Sequence, residues 1–228
     1  MTTNTFNISD FTRVQAGGAV RVDITRGTGF KVKALADDFS YIYVEKIGDR
    51  LVLGRRGFDW LLPFHLQPEF YIEMPDLQEV KMSGATRGQA AGFQMQRSLN
   101  VAISGASHFD LNDMTVSDLN IDISGASHLK GNIQCTGKAE LDISGASHID
   151  LTGTAKDLVL HAVGACQADL SSFTVQNAGV GLSGASHAMV NLNGRLDTRL
   201  YGASNLRWLG SPIMGEMEIA GASSIHHN

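Results

Sequence analysis

The hexapeptide ISGASH occupies residues 103–108, 123–128 and 143–148, and LSGASH follows at 182–187. A word that recurs at a short, fixed period marks a stacked repeat, and it constrains the fold more than any single residue can. The Gly-Ala pair at its centre starts at Gly84, Gly105, Gly125, Gly145, Gly164, Gly184, Gly202 and Gly221, with successive spacings of 21, 20, 20, 19, 20, 18 and 19. One chain therefore holds eight near-copies that can be compared column by column.

Ala follows Gly in all eight copies, Ala106, Ala126 and Ala146 among them, which reads as a steric limit at the inside of a corner. The next column is always small: Thr86, Ser107, Ser127, Ser147, Cys166, Ser186, Ser204 and Ser223. The third holds Arg87, His108, His128, His148, Gln167, His187, Asn205 and Ser224, polar residues of every size, so it faces water. Upstream, positions two and four before the Gly are apolar, as in Ile103 and Val101 or Ile143 and Leu141, with polar residues between. Downstream the same alternation resumes in Phe109 and Leu111 or Ile149 and Leu151. Period two is the signature of a half-buried strand. Each repeat thus holds at least two strands joined at a Gly-Ala-Ser corner, with a third stretch such as 114–118 closing the circuit.

Twenty residues at about 3.3 Å each trace a perimeter of at most about 66 Å, enough for one small coil. Every copy reads in the same direction, so like stacks on like in parallel. The expected fold is all-β, a right-handed parallel β-helix over 79–228 whose corners need Gly for their sharp turn. Residues 1–78 lack the repeat. FKVKALA (30–36), SYIYVEKI (40–47), RLVLGRR (50–56) and EFYIEM (69–74) read as strands, with a hairpin turn at 47–50. AGGAVRVDITRG (16–27) holds one earlier Gly-Ala corner, so the coil begins there and is interrupted. GFDWLLPFHLQP (57–68) reads as a packed loop or end cap.

The segments FTRVQAGGAVRVDITRG and EFYIEMPDLQEVKMSGA, followed by the run of SGAS words, resemble the putative auto-transporter adhesin head domain family, also called the GIN domain. The resemblance spans nearly the whole chain. It implies a right-handed β-helical domain of bacterial proteins that are usually exported or surface-associated, and it supplies no catalytic motif. The start MTTNTFNISDFTRV shows neither a basic region nor the apolar stretch of a signal peptide. Two readings of localisation stay open: a cytoplasmic protein, or a mature form whose leader is replaced by Met.

A net charge of −5 offers no basic footprint for nucleic acid, and no apolar run reaches the length of a membrane-spanning helix. A serine hydrolase is disfavoured because Ser107 and His108 are neighbours on a strand and point to opposite faces. A glycan-active enzyme on the same scaffold would need paired carboxylates. Asp110, Asp150 and Asp169 share an outward column, but Lys130, Met189 and Arg207 interrupt it. A metal site is the sharper alternative: His108, His128 and His148 should stack about 4.8 Å apart, with Asp110 and Asp150 two residues along the same face. An exposed ladder of stacked rings is the preferred reading, with neither metal nor cofactor. Cys135 and Cys166 fall on different faces of different coils and are expected to be free thiols.

The resulting expectation is a non-enzymatic structural or adhesive module for an unknown protein or glycan ligand. A glycan-active lyase or hydrolase and a self-assembling scaffold are the alternatives. Strand groups left open at GASSIHHN, beside Trp208 and Leu209, point to a homo-oligomer.

Overall fold

The computed structural model describes residues 1–56 and 67–228. Strands fill two sheets, twelve strands in one and eleven in the other among the described residues. The loop or cap expected over 57–68 lies almost wholly outside those residues.

From Glu79 onward the chain is a parallel β-solenoid of about seven turns of roughly 20 residues. Each turn contributes one strand to each sheet. Leu99–Ile103, Leu119–Ile123, Lys138–Gly145, Asp157–Gly164 and Asn177–Gly184 stack in parallel on one wall. On the other wall His108–Val116, His128–Cys135, His148–Thr154, Gln167–Val175 and His187–Leu192 do the same. Among the described residues no separate third strand closes the circuit. Instead the strand after the corner runs on and bends where its register shifts, as between Leu111 and Met114. Extended backbone on both sides of the bend keeps its ladder bonds, so one strand serves two sides of the coil.

The apolar columns fill the interior. Val101, Ile103, Phe109 and Leu111 of one coil lie over Ile121, Ile123 and Leu129 of the next, all buried. Parallel stacking without a break makes this a single core, and side chains fill it along its length.

The corner inverts one expectation. The eight corner glycines have φ between +78° and +118°, the left-handed region. That turn interrupts the period of two, so Gly105 and Ala106 both lie on the outside and the chain re-enters the core at Ser107. Ala106, Ala126 and Ala146 are exposed rather than packed at an inner angle. The tight position is the Gly: a Cβ on Gly125 would collide with the carbonyl oxygen of Gly105, and one on Gly145 with that of Gly125. The same carbonyls accept from the next coil, Ala126 N–H donating to Gly105 O at 2.8 Å and Ala146 N–H to Gly125 O at 2.8 Å.

The buried Ser column satisfies its hydroxyls locally. Ser107 donates to Ser104 O at 2.9 Å and Ser147 to Ser144 O at 2.9 Å. The Ser127 and Ser147 oxygens accept from the backbone of the coil before, at 3.4 Å each.

The first eighty residues extend the same two sheets. Arg13–Gly17 and Arg21–Arg26 flank the early Gly18 corner and pair in parallel with Glu79–Ser83 and Arg87–Ala91. Two later segments lie on the outer side of that coil. Arg50–Arg55 and Glu69–Met74 pair parallel to it. Ile42–Ile47 folds back on Arg50–Arg55 as the expected hairpin, and Lys31–Ala36 and Thr2–Phe6 add antiparallel strands beyond Glu69–Met74. Ladder bonds therefore run across residue 78 in both sheets.

At the other end, Ile213–Ile219 and Ser224–His227 are the last strands of the two sheets. Met217 and Ile219 continue the inward columns of Thr198 and Leu200, yet they are 46% and 41% exposed.

Candidate functional site

The outward column of the wall that follows the corner is continuous across nine strands. Arg21 lies beside Arg87, then come His108, His128, His148, Gln167, His187, Asn205 and Ser224 in unbroken register. Ser107 and its equivalents precede this column and point inward, so Ser107 is buried while His108 is half-exposed. Ser107 and His108 therefore do not pair as nucleophile and base, because their side chains lie on opposite sides of the sheet.

The three central imidazoles form a ladder. His108 and His128 ring centroids are 4.9 Å apart with planes 12° from parallel, and His128 and His148 are 4.6 Å apart at 15°. Burial of His128 between its neighbours lowers its pKa, and the rings of His148 and His108 lower it further, against the pull of Asp110 and Asp150. Two residues along, the parallel column reads Asp23, Gln89, Asp110, Lys130, Asp150, Asp169, Met189 and Arg207. His108 Nε2 lies 3.4 Å from Asp110 and Lys130 Nζ 3.7 Å from Asp150. Asp169 accepts from the Ser171 hydroxyl at 2.6 Å and its N–H at 3.1 Å, which holds its carboxyl below the usual range.

The structure therefore brings His108, His128, His148, Asp110 and Asp150 onto one surface. Among the described residues, no three His, Cys, Asp or Glu side chains are grouped to hold a metal ion. Parallel rings in a row offer their nitrogens side by side along the wall and do not converge them on a point.

Arg87 already heads this column in the sequence, whereas Arg21 extends the row and was not legible as part of it from the later repeats. Its signal is the early corner: Arg21 follows Gly18 by three residues, as Arg87 follows Gly84 and His108 follows Gly105. Among the described residues neither guanidinium makes an ion pair or a side-chain hydrogen bond, although the two are adjacent like charges. A hollow of about 250 Å³ is lined in part by Arg21, Arg87, Gln89, His108 and Asp110.

The opposite wall carries a second, polar hollow of about 430 Å³ lined by Asn100, Ala102, Asn120, Asp122, Glu140 and Asp142, among others. Asn120 donates to Asn100 at 3.0 Å, continuing the stack across coils. Its trace in the sequence is the Leu-Asn pair repeated at 99–100 and 119–120. At its edge Glu79 is partly buried, which raises its pKa, but Arg50 and Lys81 outweigh this and hold it below the usual range.

The two cysteines are free and buried. Burial raises the pKa of Cys135, away from thiolate chemistry. No helix among the described residues is long and apolar enough to cross a membrane.

The sequence matches the model of the family described as putative auto-transporter adhesin, head GIN domain, over residues 10–212. Solved structures share the fold. A putative adhesin from Parabacteroides distasonis has a TM-score of 0.89 at 17% identity, covering 100% of this chain and 96% of that one. A putative adhesin from Parabacteroides merdae gives 0.86 at 16%, covering 100% and 95%. A putative lipid binding protein from Parabacteroides distasonis gives 0.84 at 16%, covering 100% and 96%. No curated protein matches the chain.

Proposed function

The chain belongs to the putative auto-transporter adhesin, head GIN domain family, and from that premise we propose that it is a non-enzymatic adhesion module. It binds a cell-surface or extracellular partner, a protein or a glycan, along the outer wall of its solenoid. The observation that carries this reading is the unbroken outward register from Arg21 to Ser224, a long face of mostly polar and charged columns. Such a face offers many weak contacts to an extended partner, whereas catalysis asks for a few groups converging on one bond.

Two competing readings are less well supported. A lyase or hydrolase would need a pair of carboxylates held together. Here Asp110 and Asp150 stand apart with Lys130 between them, and Asp169, the carboxylate beside Asp150, is held by Ser171. A lipid partner, suggested by the name of one structural relative, would need an apolar cavity within the fold, yet the interior is filled with side chains. Self-association is a further feature of the same reading, supported by the exposed Met217 and Ile219.

An array of immobilised glycans and extracellular-matrix proteins probed with the purified chain tests this function. Retained binding with no shortened sugar released is the expected result. Release of oligosaccharide products would replace the adhesion reading with the enzymatic one. Light scattering on the same sample reports self-association.

A further inference from the structure

We infer that the row Arg21, Arg87, His108, His128 and His148 is a binding row for a linear acidic polysaccharide, engaged more tightly in mildly acidic surroundings. This rests on the adhesion reading and names the partner for one face of it. Five adjacent strands place these groups in a straight line about 19 Å long. Arg21 and Arg87, neither in an ion pair among the described residues, begin the row, with Glu69 in register beyond Arg21 and engaged by the Tyr71 hydroxyl, and three stacked imidazoles continue the line. Placing like charges side by side across strands costs stability, and an anion lying along them relieves that repulsion.

The neighbouring column determines what kind of anion fits. Ionised, Asp23, Asp110, Asp150 and Asp169 can only accept hydrogen bonds, with Gln89 and Lys130 among them. A ligand lying across both columns must present carboxylates or sulfates along one edge and hydroxyl donors along the other. An acidic sugar chain has both. A bilayer or a duplex presents anionic charge over a wide area and would meet this carboxylate column. Single-stranded nucleic acid binds largely by stacking its bases on aromatic faces, and here the imidazole faces are stacked on one another.

Acidity acts on the same row. The groups facing the imidazoles are Arg87 and Gln89 on one side, Gln167 and Asp169 on the other, and Asp110, Lys130 and Asp150 alongside. With neutral histidines the positive and negative charges of the two columns nearly cancel. Imidazole is the side chain that takes up a proton on mild acidification, and a proton on the ladder turns the row positive. Burial and the two neighbouring rings oppose protonation of His128.

The test uses the full chain against immobilised polygalacturonate and dextran sulfate, with neutral dextran as control, at about pH 5.5 and about pH 7.5. Wild type should bind one or both acidic polymers about tenfold more tightly at the lower pH, and added salt should weaken it. Arg21→Gln with Arg87→Gln should weaken binding at both pH values. His108→Gln, His128→Gln and His148→Gln together should abolish the pH dependence, and His128→Gln alone should reduce it should the triple variant fold poorly. Lys138→Gln, on the opposite wall, should change nothing. The inference fails if wild type binds neither acidic polymer, if the arginine and histidine variants bind as wild type does, or if single-stranded DNA displaces the polysaccharide equally well. An array partner bound equally by wild type and by these variants would end this inference and leave the adhesion reading intact. Binding to nothing on the array and to neither polymer would end both.

Discussion

Cys166 Sγ lies 3.5 Å from the carbonyl oxygen of Val163, the same place in its coil where the Ser186 hydroxyl bonds Ser183 O at 3.0 Å. Its sulfur also lies 3.6 Å from Gly145 O, the equivalent of the Ser186 contact with Gly164 O at 3.3 Å. The thiol is a member of the Ser column, held by the same two carbonyls.

Cys166→Ser should therefore fold normally, with a melting temperature at or slightly above that of wild type, since a hydroxyl makes the stronger bonds in that position. Cys166→Leu adds bulk to a filled column and should cost about 1–3 kcal/mol in denaturant unfolding. A large loss in the Ser variant would mean that the thiol has a role of its own.

Protonation of His128 couples to stability with a definite sign. The folded pKa of His128 is lowered, so below the ordinary histidine value the unfolded chain takes up the proton more readily. This group's contribution is fully present above about pH 6.5 and is lost as the pH falls through the lowered value. Melting temperature measured from about pH 7.5 to about pH 5 should fall less in His128→Gln than in wild type. An identical fall in both proteins would show that the ladder does not feel its own charge.

Position along the solenoid should set the cost of a truncated side chain. Leu182 is buried in the middle of the core, so Leu182→Ala should cost about 2–5 kcal/mol. Met217 occupies the equivalent inward strand two coils on, 46% exposed, and Met217→Ala should cost about 1 kcal/mol or less. Urea unfolding of the two variants gives the comparison, and equal losses would mean that the last coil is covered in solution.

Much of this architecture was legible because repeats act as their own alignment. Val101, Ile103, Phe109 and Leu111 alternate with polar neighbours, so strand, face and coil length follow from spacing alone. Invariance of Ala106, Ala126 and Ala146 did not reveal which side of the corner they occupy, because the left-handed Gly before each one breaks the alternation that assigns sides. The N-terminal pairing was hidden for a different reason. Arg50–Arg55 joins Arg13–Gly17 in parallel while its hairpin partner Ile42–Ile47 is antiparallel, and no repeated word records that order. In the candidate row the histidines were visible as a column, whereas Arg21 stands 66 residues before its ladder neighbour Arg87, across the interruption.

The corner offers the most direct measurement of the central claim, that coil stacks on coil at the glycines. Thermal melts of Gly125→Val and Ala126→Leu compare two adjacent residues that never vary among the eight repeats. A side chain on Gly125 meets the Gly105 carbonyl in a left-handed backbone, while one on Ala126 points to solvent. The account predicts that Gly125→Val unfolds or loses several kcal/mol, about 3 or more, and that Ala126→Leu stays within about 0.5 kcal/mol of wild type. A stable Gly125→Val protein, or an Ala126→Leu protein destabilised to the same degree, would contradict it.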